Sequence, residues 1–71
     1  MQTSSEKKPL TILRRKQVQE RTGLSRSTIY LRVAQGTFPK SISLGPRAVG
    51  WVDAEIDEWL KSQIEQSRQS A

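Results

Sequence analysis

Arginine and hydroxyl side chains are concentrated in one short segment of the chain, between residues 25 and 32. Arginine can donate two hydrogen bonds to guanine, serine and threonine can bond to bases or phosphates, and an apolar side chain can touch the methyl group of thymine. All three types occur here, in Ser25, Arg26, Ser27, Thr28, Leu31 and Arg32. We therefore regard these six residues as candidates for contact with a DNA duplex.

Six further residues are weaker candidates for the same role. Tyr30 has a hydroxyl group that can reach a phosphate, although a half-buried aromatic beneath the helix explains it equally well. Arg47, in a predicted turn, is suited to a narrow minor groove, and the alternative is a solvent-facing residue with no specific role. Four other basic residues are candidates for phosphate contacts or, alternatively, for solubility alone: Arg14, Arg15, Lys16 and Lys40.

Other kinds of chemistry find little support in the composition. The chain has neither cysteine nor histidine, which excludes the usual zinc sites and nucleophiles activated by histidine. Asp53 and Asp57 lie one helical turn apart, but helix capping and the helix dipole already explain them. The turn at residues 45–47 lacks the Gly-Lys-Ser or Gly-Lys-Thr ending of a phosphate-binding loop. We therefore expect no enzyme activity, no cofactor and no bound metal.

The charge of the chain is unevenly distributed. The formal net charge is +5, but residues 7–47 carry ten basic side chains and one acidic one, whereas residues 53–65 carry five acidic side chains and one lysine. Such a distribution would orient the molecule towards a polyanion with its basic front. The alternative is a solvated surface whose imbalance has no function.

Two helices and a tight turn are predicted to position the candidate residues. A short first helix spans residues 15–21 and ends at Gly23, and Ser25 has the preferred type for capping a second helix that begins at about Arg26. Ile29 and Val33 lie four residues apart and should face the core. We expect the opposite, exposed face of this helix to present Ser27, Thr28, Leu31 and Arg32.

A small hairpin and a third helix should complete the domain. Gly36 and Pro39 end the second helix, Phe38 is expected in the core, and residues 40–44 and 48–52 are predicted to form two strands joined by a turn. Trp51 is the residue best suited to hold this hairpin, the wing, against the helices. The third helix should extend from Asp53, as its N-cap, to about residue 66, with an apolar stripe of Ile56, Trp59, Leu60 and Ile64.

The predicted fold class is α+β and mostly helical: a winged helix-turn-helix with three helices and a two-stranded hairpin between the second and the third. This domain is expected to cover residues 10–66, with Leu10, Ile12 and Leu13 as apolar anchors at its start. Residues 1–9 and 67–71 are polar, and we expect them to form a disordered arm and a disordered tail. No apolar run is long enough to span a membrane, and we expect no export signal.

Five separate motifs follow one another along most of the chain. They are Ile-Leu-Arg at residues 12–14, Thr-Gly-Leu-Ser-Arg-Ser-Thr-Ile-Tyr at 22–30, Gly-Thr-Phe-Pro-Lys at 36–40, Leu-Gly-Pro-Arg-Ala-Val-Gly-Trp at 44–51 and Glu-Ile-Asp-Glu-Trp-Leu at 55–60. In this order they resemble the AlpA family of prophage regulatory proteins. The resemblance implies a winged helix-turn-helix similar to that of excisionases and of MerR-type regulators. It places the family's recognition segment at residues 25–32 and its wing arginine at Arg47, with Leu31 where many relatives would carry a basic residue.

Two classes of function remain open from the sequence. The resemblance implies a bacterial prophage or mobile-element regulator that binds double-stranded DNA sequence-specifically and controls transcription, or that acts as an excisionase-type recombination directionality factor. Its expected partners are double-stranded DNA, further copies of itself on repeated sites, and an integrase, a recombinase or the transcription machinery. The alternative is a protein-binding adaptor that regulates a response regulator or a recombinase through its acidic third helix. In both cases we expect the protein in the bacterial cytoplasm, associated with the nucleoid.

Overall fold

The computed structural model describes residues 10–70, without the side chain of Ser70, and contains the three predicted helices. In chain order the elements are β1 (Ile12–Leu13), α1 (Arg15–Thr22), α2 (Arg26–Gln35), β2 (Ile42–Gly45), β3 (Ala48–Val52) and α3 (Asp53–Ser70). The mostly helical α+β winged helix-turn-helix is thereby confirmed. The predicted arm at residues 1–9 lies outside the described residues.

The turn between α1 and α2 forms as the sequence predicts. Gly23 has φ = 75°, the left-handed conformation that favours glycine, and its N–H donates to the carbonyl oxygen of Gln19. Ser25 caps α2, because its Oγ accepts a hydrogen bond from the N–H of Thr28 at 3.2 Å. Gly36, with φ = 78°, ends α2 in the same way. Both ends of α2 are therefore determined by local residue types.

The sheet has three strands rather than the predicted two. β1 and β2 pair antiparallel with opposite edges of β3, so the strand order is β1-β3-β2. In β1, Leu13 pairs with Trp51 and is buried, whereas Leu10 is 87% exposed, so the prediction that Leu10 anchors the core is wrong. A strand of two residues is too short to show an alternating pattern, which explains why the sequence did not reveal this pairing.

The core lies between the sheet and the helices, and two tryptophans connect the wing and α3 to the linker after α2. The buried side chains are Leu13, Val18, Ile29, Phe38, Trp51 and Ile56. The indole N–H of Trp51 donates to the carbonyl oxygen of Pro39 at 2.9 Å, and that of Trp59 donates to the carbonyl oxygen of Thr37 at 2.8 Å. The ring of Phe38 packs edge-on against Trp59, with centroids 4.7 Å apart.

Helix α3 differs from its prediction at both ends. Asp53 is its first helical residue rather than its N-cap, and the Asp53 carboxylate pairs with Arg21 at 2.6 Å. At the other end, residues 67–70, which we assigned to a tail, continue the helix, since they include no glycine or proline to end it. Ile64 is 49% exposed and lies beyond the buried part of the apolar stripe. No helix within residues 10–70 is long and apolar enough to cross a membrane.

Replacing Gly50 with alanine should destabilise the fold through a steric clash in the sheet. A Cβ atom at Gly50 would overlap Cγ2 of Ile12 and lie 3.1 Å from both the carbonyl oxygen of Leu13 and Cδ1 of Leu44. We expect the free energy of unfolding to fall by about 1 to 3 kcal/mol, measured by urea denaturation. The exposed Ser43→Ala in the neighbouring strand is the control and should change it by less than about 0.5 kcal/mol. An equal, small effect of both substitutions would contradict this packing.

Candidate nucleic-acid interface

The side of α2 that lies opposite the core carries no charged residue. Ile29 is fully buried and Val33 packs against the core, which leaves the opposite side of the helix in solvent. Leu31, which we expected on this side, is 57% exposed. The exposed residues without charge in α2 are Ser27, Tyr30, Leu31, Ala34 and Gln35. Three of these lie directly opposite Ile29 and Val33. We call these three residues, Ser27, Leu31 and Ala34, the outer face of α2.

The side-chain hydroxyl groups at the start of α2 form hydrogen bonds with one another. The Oγ of Ser25 donates to Oγ1 of Thr28 at 2.9 Å while it accepts the N–H of the same residue. Thr28 is half-buried, so the prediction that it belongs to the exposed face is wrong. The hydroxyl group of Ser27 lies 3.5 Å from that of Ser25 and is exposed. Of the three predicted hydroxyl contacts, Ser27 is therefore the one on the outer face, and the other two stabilise the helix start.

The two arginines of α2 lie at the edges of the helix rather than on its outer face. Cζ of Arg26 is 5.8 Å from the ring centroid of Tyr30. Cζ of Arg32 is 5.9 Å from the ring centroid of Trp59 in α3, and Arg32 is half-buried. The prediction that Arg32 projects from the exposed face is therefore wrong. Its long side chain can cover the indole of Trp59 because a guanidinium group is attracted to an aromatic face.

A basic cleft brings together three parts of the chain that are distant in sequence. The start of α1, the wing and Tyr30 of α2 line it, with the residues Arg14, Arg15, Lys16, Tyr30, Arg47 and Val49. Four of these six side chains are cationic and none is acidic. Tyr30 is 42% exposed here rather than packed beneath the helix. The structure thus places five of the twelve candidate residues around one concave, positively charged surface.

Hydrogen bonds fix the position of the cleft. Nε of Arg14 donates to the carbonyl oxygen of Val49 at 3.0 Å, which joins the start of α1 to strand β3 of the wing. The backbone N–H of Arg14, at the N-cap position of α1, donates to Oε1 of Gln17 at 2.8 Å. Nη1 of Arg15 donates to Oε1 of Gln19 at 2.9 Å. Sequence reasoning missed Val49 and Ala34 because neither has a side chain that suggests chemistry.

Arg47 occupies the tip of the wing in an unfavourable backbone conformation. It follows Pro46 in the turn between β2 and β3 and has φ = 62°, the one positive φ of a non-glycine residue within residues 10–70. For a residue with a Cβ atom this conformation costs about 1 to 2 kcal/mol. Glycine or asparagine would be tolerated better at this turn position.

Lys40 is the candidate residue that the fold separates from the others. It is exposed and lines a different depression, between the linker after α2 and the start of α3, together with Phe38, Pro39, Ala54, Glu55 and Glu58. Two carboxylates therefore lie near this lysine, whereas none lines the basic cleft. On α3, two other carboxylates pair with Arg21: Asp53 at 2.6 Å and Asp57 at 3.0 Å.

Comparison with known proteins supports a regulatory family. Residues 11–64 match the family model described as prophage CP4-57 regulatory protein (AlpA). The chain is 45% identical over 58 residues to the DNA-binding transcriptional activator AlpA of Escherichia coli (strain K12), which covers 73% of this chain and 83% of that protein. It is also 42% identical over 52 residues to the uncharacterized protein ORF88 of Enterobacteria phage P4, across 73% of this chain and 59% of that protein.

Arg32→Ala should lower stability, because it removes a guanidinium group that covers Trp59. We expect a loss of about 0.5 to 1 kcal/mol in the free energy of unfolding, measured by thermal and urea denaturation. Arg68→Ala, in the exposed last turn of α3, is the matched control and should have no measurable effect. If the two variants were equally stable, the contact between Arg32 and Trp59 would contribute nothing to the fold.

Proposed function

Because this chain belongs to the AlpA family of prophage regulatory proteins, we propose that it is a transcriptional regulator that binds double-stranded DNA sequence-specifically. The observation that carries the proposal is the arrangement of the basic cleft beside an exposed helix face without charge. The basic cleft attracts a polyanion, and the uncharged helix face can contact base edges.

Helix α2 is the proposed recognition helix. It is ten residues long, and the major groove, about 12 Å wide, admits an α-helix. Ser27 and Leu31 lie in its first two turns, the part that a recognition helix presents to base edges. In this arrangement Ser25 and Thr28 keep the helix start in shape, and Arg32 supports the helix from the side of α3.

The basic cleft supplies the proposed contacts to the DNA backbone. Lys16 and Arg15, at the start of α1, would neutralise phosphates beside the major groove. Tyr30 would donate a hydrogen bond from its hydroxyl group to one of these phosphates. Arg14 would add charge while it holds the wing through Val49. Arg47, at the tip of the wing, would enter the adjacent minor groove, where the negative potential is strongest.

The proposed regulatory outcome follows from the relative in Escherichia coli, whose name states its function. That protein is a transcriptional activator, so we favour control of transcription over an excisionase-type role in recombination. A single domain of this size makes few base contacts, so the binding of several copies to repeated sites would supply the specificity. The protein would act in the bacterial cytoplasm. A protein-binding adaptor would use acidic α3 instead, and its complex would survive charge reversal at Lys16 and Arg47.

Selection of bound sites from random duplex DNA tests the proposal directly. The protein, at near-physiological salt, should enrich a defined sequence after a few rounds, and the enriched duplex should bind more tightly than scrambled DNA. Affinity should fall with salt with a slope of about −0.9 per phosphate contact in a plot of log K against log salt concentration. Failure to enrich any sequence would contradict sequence-specific DNA binding.

Lys16→Gln and Lys40→Gln form a matched pair that tests which basic residues face DNA. Both lysines are exposed, but Lys16 lines the basic cleft and Lys40 does not. Lys16→Gln should weaken binding to the selected site and make the salt slope less steep by about 0.9. Lys40→Gln should leave the slope unchanged. The reverse pattern would place the DNA on the side of α3.

Arg47→Asn separates the charge of the wing from its backbone conformation. Asparagine tolerates the left-handed conformation better than arginine, so we expect the thermal midpoint to stay constant or rise slightly. DNA affinity should fall, with the salt slope less steep by about 0.9. Arg68→Asn is the control for the loss of one positive charge at a distance from the cleft. Equal binding by the two variants would contradict a role of the wing in DNA binding.

A further inference from the structure

The outer face of α2 has the chemistry to recognise one particular feature of a base pair. Ser27, Leu31 and Ala34 lie four and three residues apart, so their side chains follow one line along the helix. None carries a charge, and the arginines on either side are engaged with aromatic rings: Arg26 with Tyr30 and Arg32 with Trp59. The centre of the face therefore lacks the arginine or lysine that would donate to guanine.

Leu31 is the most prominent side chain of this face. It is 57% exposed and does not belong to the apolar core or to the residues packed against it. Ala34, one turn further along, is small and leaves room beside it. An exposed leucine on a helix that is otherwise polar or small on this side is available for an apolar contact with a ligand.

Thymine offers the matching group in the major groove. Guanine, cytosine and adenine present hydrogen-bond donors and acceptors there, whereas thymine also presents its C5-methyl group. We propose that Leu31 is a specificity-determining residue that packs against the C5-methyl group of a thymine, so that the site beneath the middle of α2 contains a T·A pair. This inference rests on the proposed DNA binding and specifies what the helix recognises.

Removing the methyl group from DNA tests the contact without altering the protein. In the duplex selected from random DNA, each thymine is replaced in turn by deoxyuridine, which keeps every hydrogen-bonding group of the base. At one position we expect binding by the unaltered protein to weaken about fourfold, the effect of withdrawing one buried methyl group. Affinities are measured at constant salt, so that the phosphate contacts stay the same.

Two variants assign the effect to Leu31. Leu31→Ala should bind the thymine and the uracil duplex equally, because the side chain that contacts the methyl group is shortened. Leu10→Ala is the matched control, since Leu10 is a more exposed leucine beside the start of α3 and should keep the fourfold preference. Circular dichroism at the temperature of the binding assay establishes that both variants are folded.

The outcomes separate this inference from the proposed function. A thymine preference that disappears in Leu31→Ala alone supports it. Tight binding to a selected duplex with no sensitivity to uracil at any position would overturn it while DNA binding stands, and so would a preference that persists in Leu31→Ala. If no duplex is selected at all, the proposed function fails and this inference with it.

Discussion

The buried indole of Trp51 is the constraint on which the arrangement of wing and helices depends. The side chain is completely buried in the central strand β3, and its N–H donates to the carbonyl oxygen of Pro39 in the linker between α2 and β2. A buried N–H without an acceptor costs about 1 to 3 kcal/mol, so this strand cannot shift without loss of stability. The wing is thereby held in one position relative to α2. The hydrogen bond from Arg14 to Val49 joins strand β3 of the wing to the start of α1.

This connection between the wing and the helices assembles one positively charged surface. Four cationic side chains line one cleft, no carboxylate lines it, and the arginine at its rim has a strained backbone conformation. In contrast, Arg21 pairs with two carboxylates of α3. A surface with one sign of charge attracts a polyanion, so entry of a polyanion into the cleft would be favourable. The proposed function gives this arrangement a physical reason.

Sequence reasoning succeeded where a local rule determines the structure. Ser25 and Gly36 determine the ends of α2, Pro46 lies in the turn of the wing, and Trp51 is in the core, because capping, turn and burial preferences act over a few residues. The sequence did not indicate that Arg14, Arg15 and Lys16 lie beside Arg47. These residues come close together only through the register of β3, which cannot be predicted from a local sequence pattern.

The misplaced residues share a different cause. Arg32 was assigned to the exposed face from its spacing relative to Ile29 and Val33, but the position of Trp59 in α3 decides where its side chain lies. Leu10 precedes β1 and lies beside the start of α3, a position that depends on residues far apart in the chain. Periodicity indicates which side of a helix is buried, but not which neighbour covers its edges.

Chemical-shift mapping by NMR tests most directly whether DNA binds to the surface formed by the outer face of α2 and the basic cleft. On titration of the labelled protein with its selected duplex, the backbone amides of Ser27, Leu31, Lys16 and Arg47 should shift most. Those of Glu55, Glu58 and Lys61 on α3 should stay nearly constant. Large shifts along α3, with constant resonances in α2 and the wing, would contradict the account.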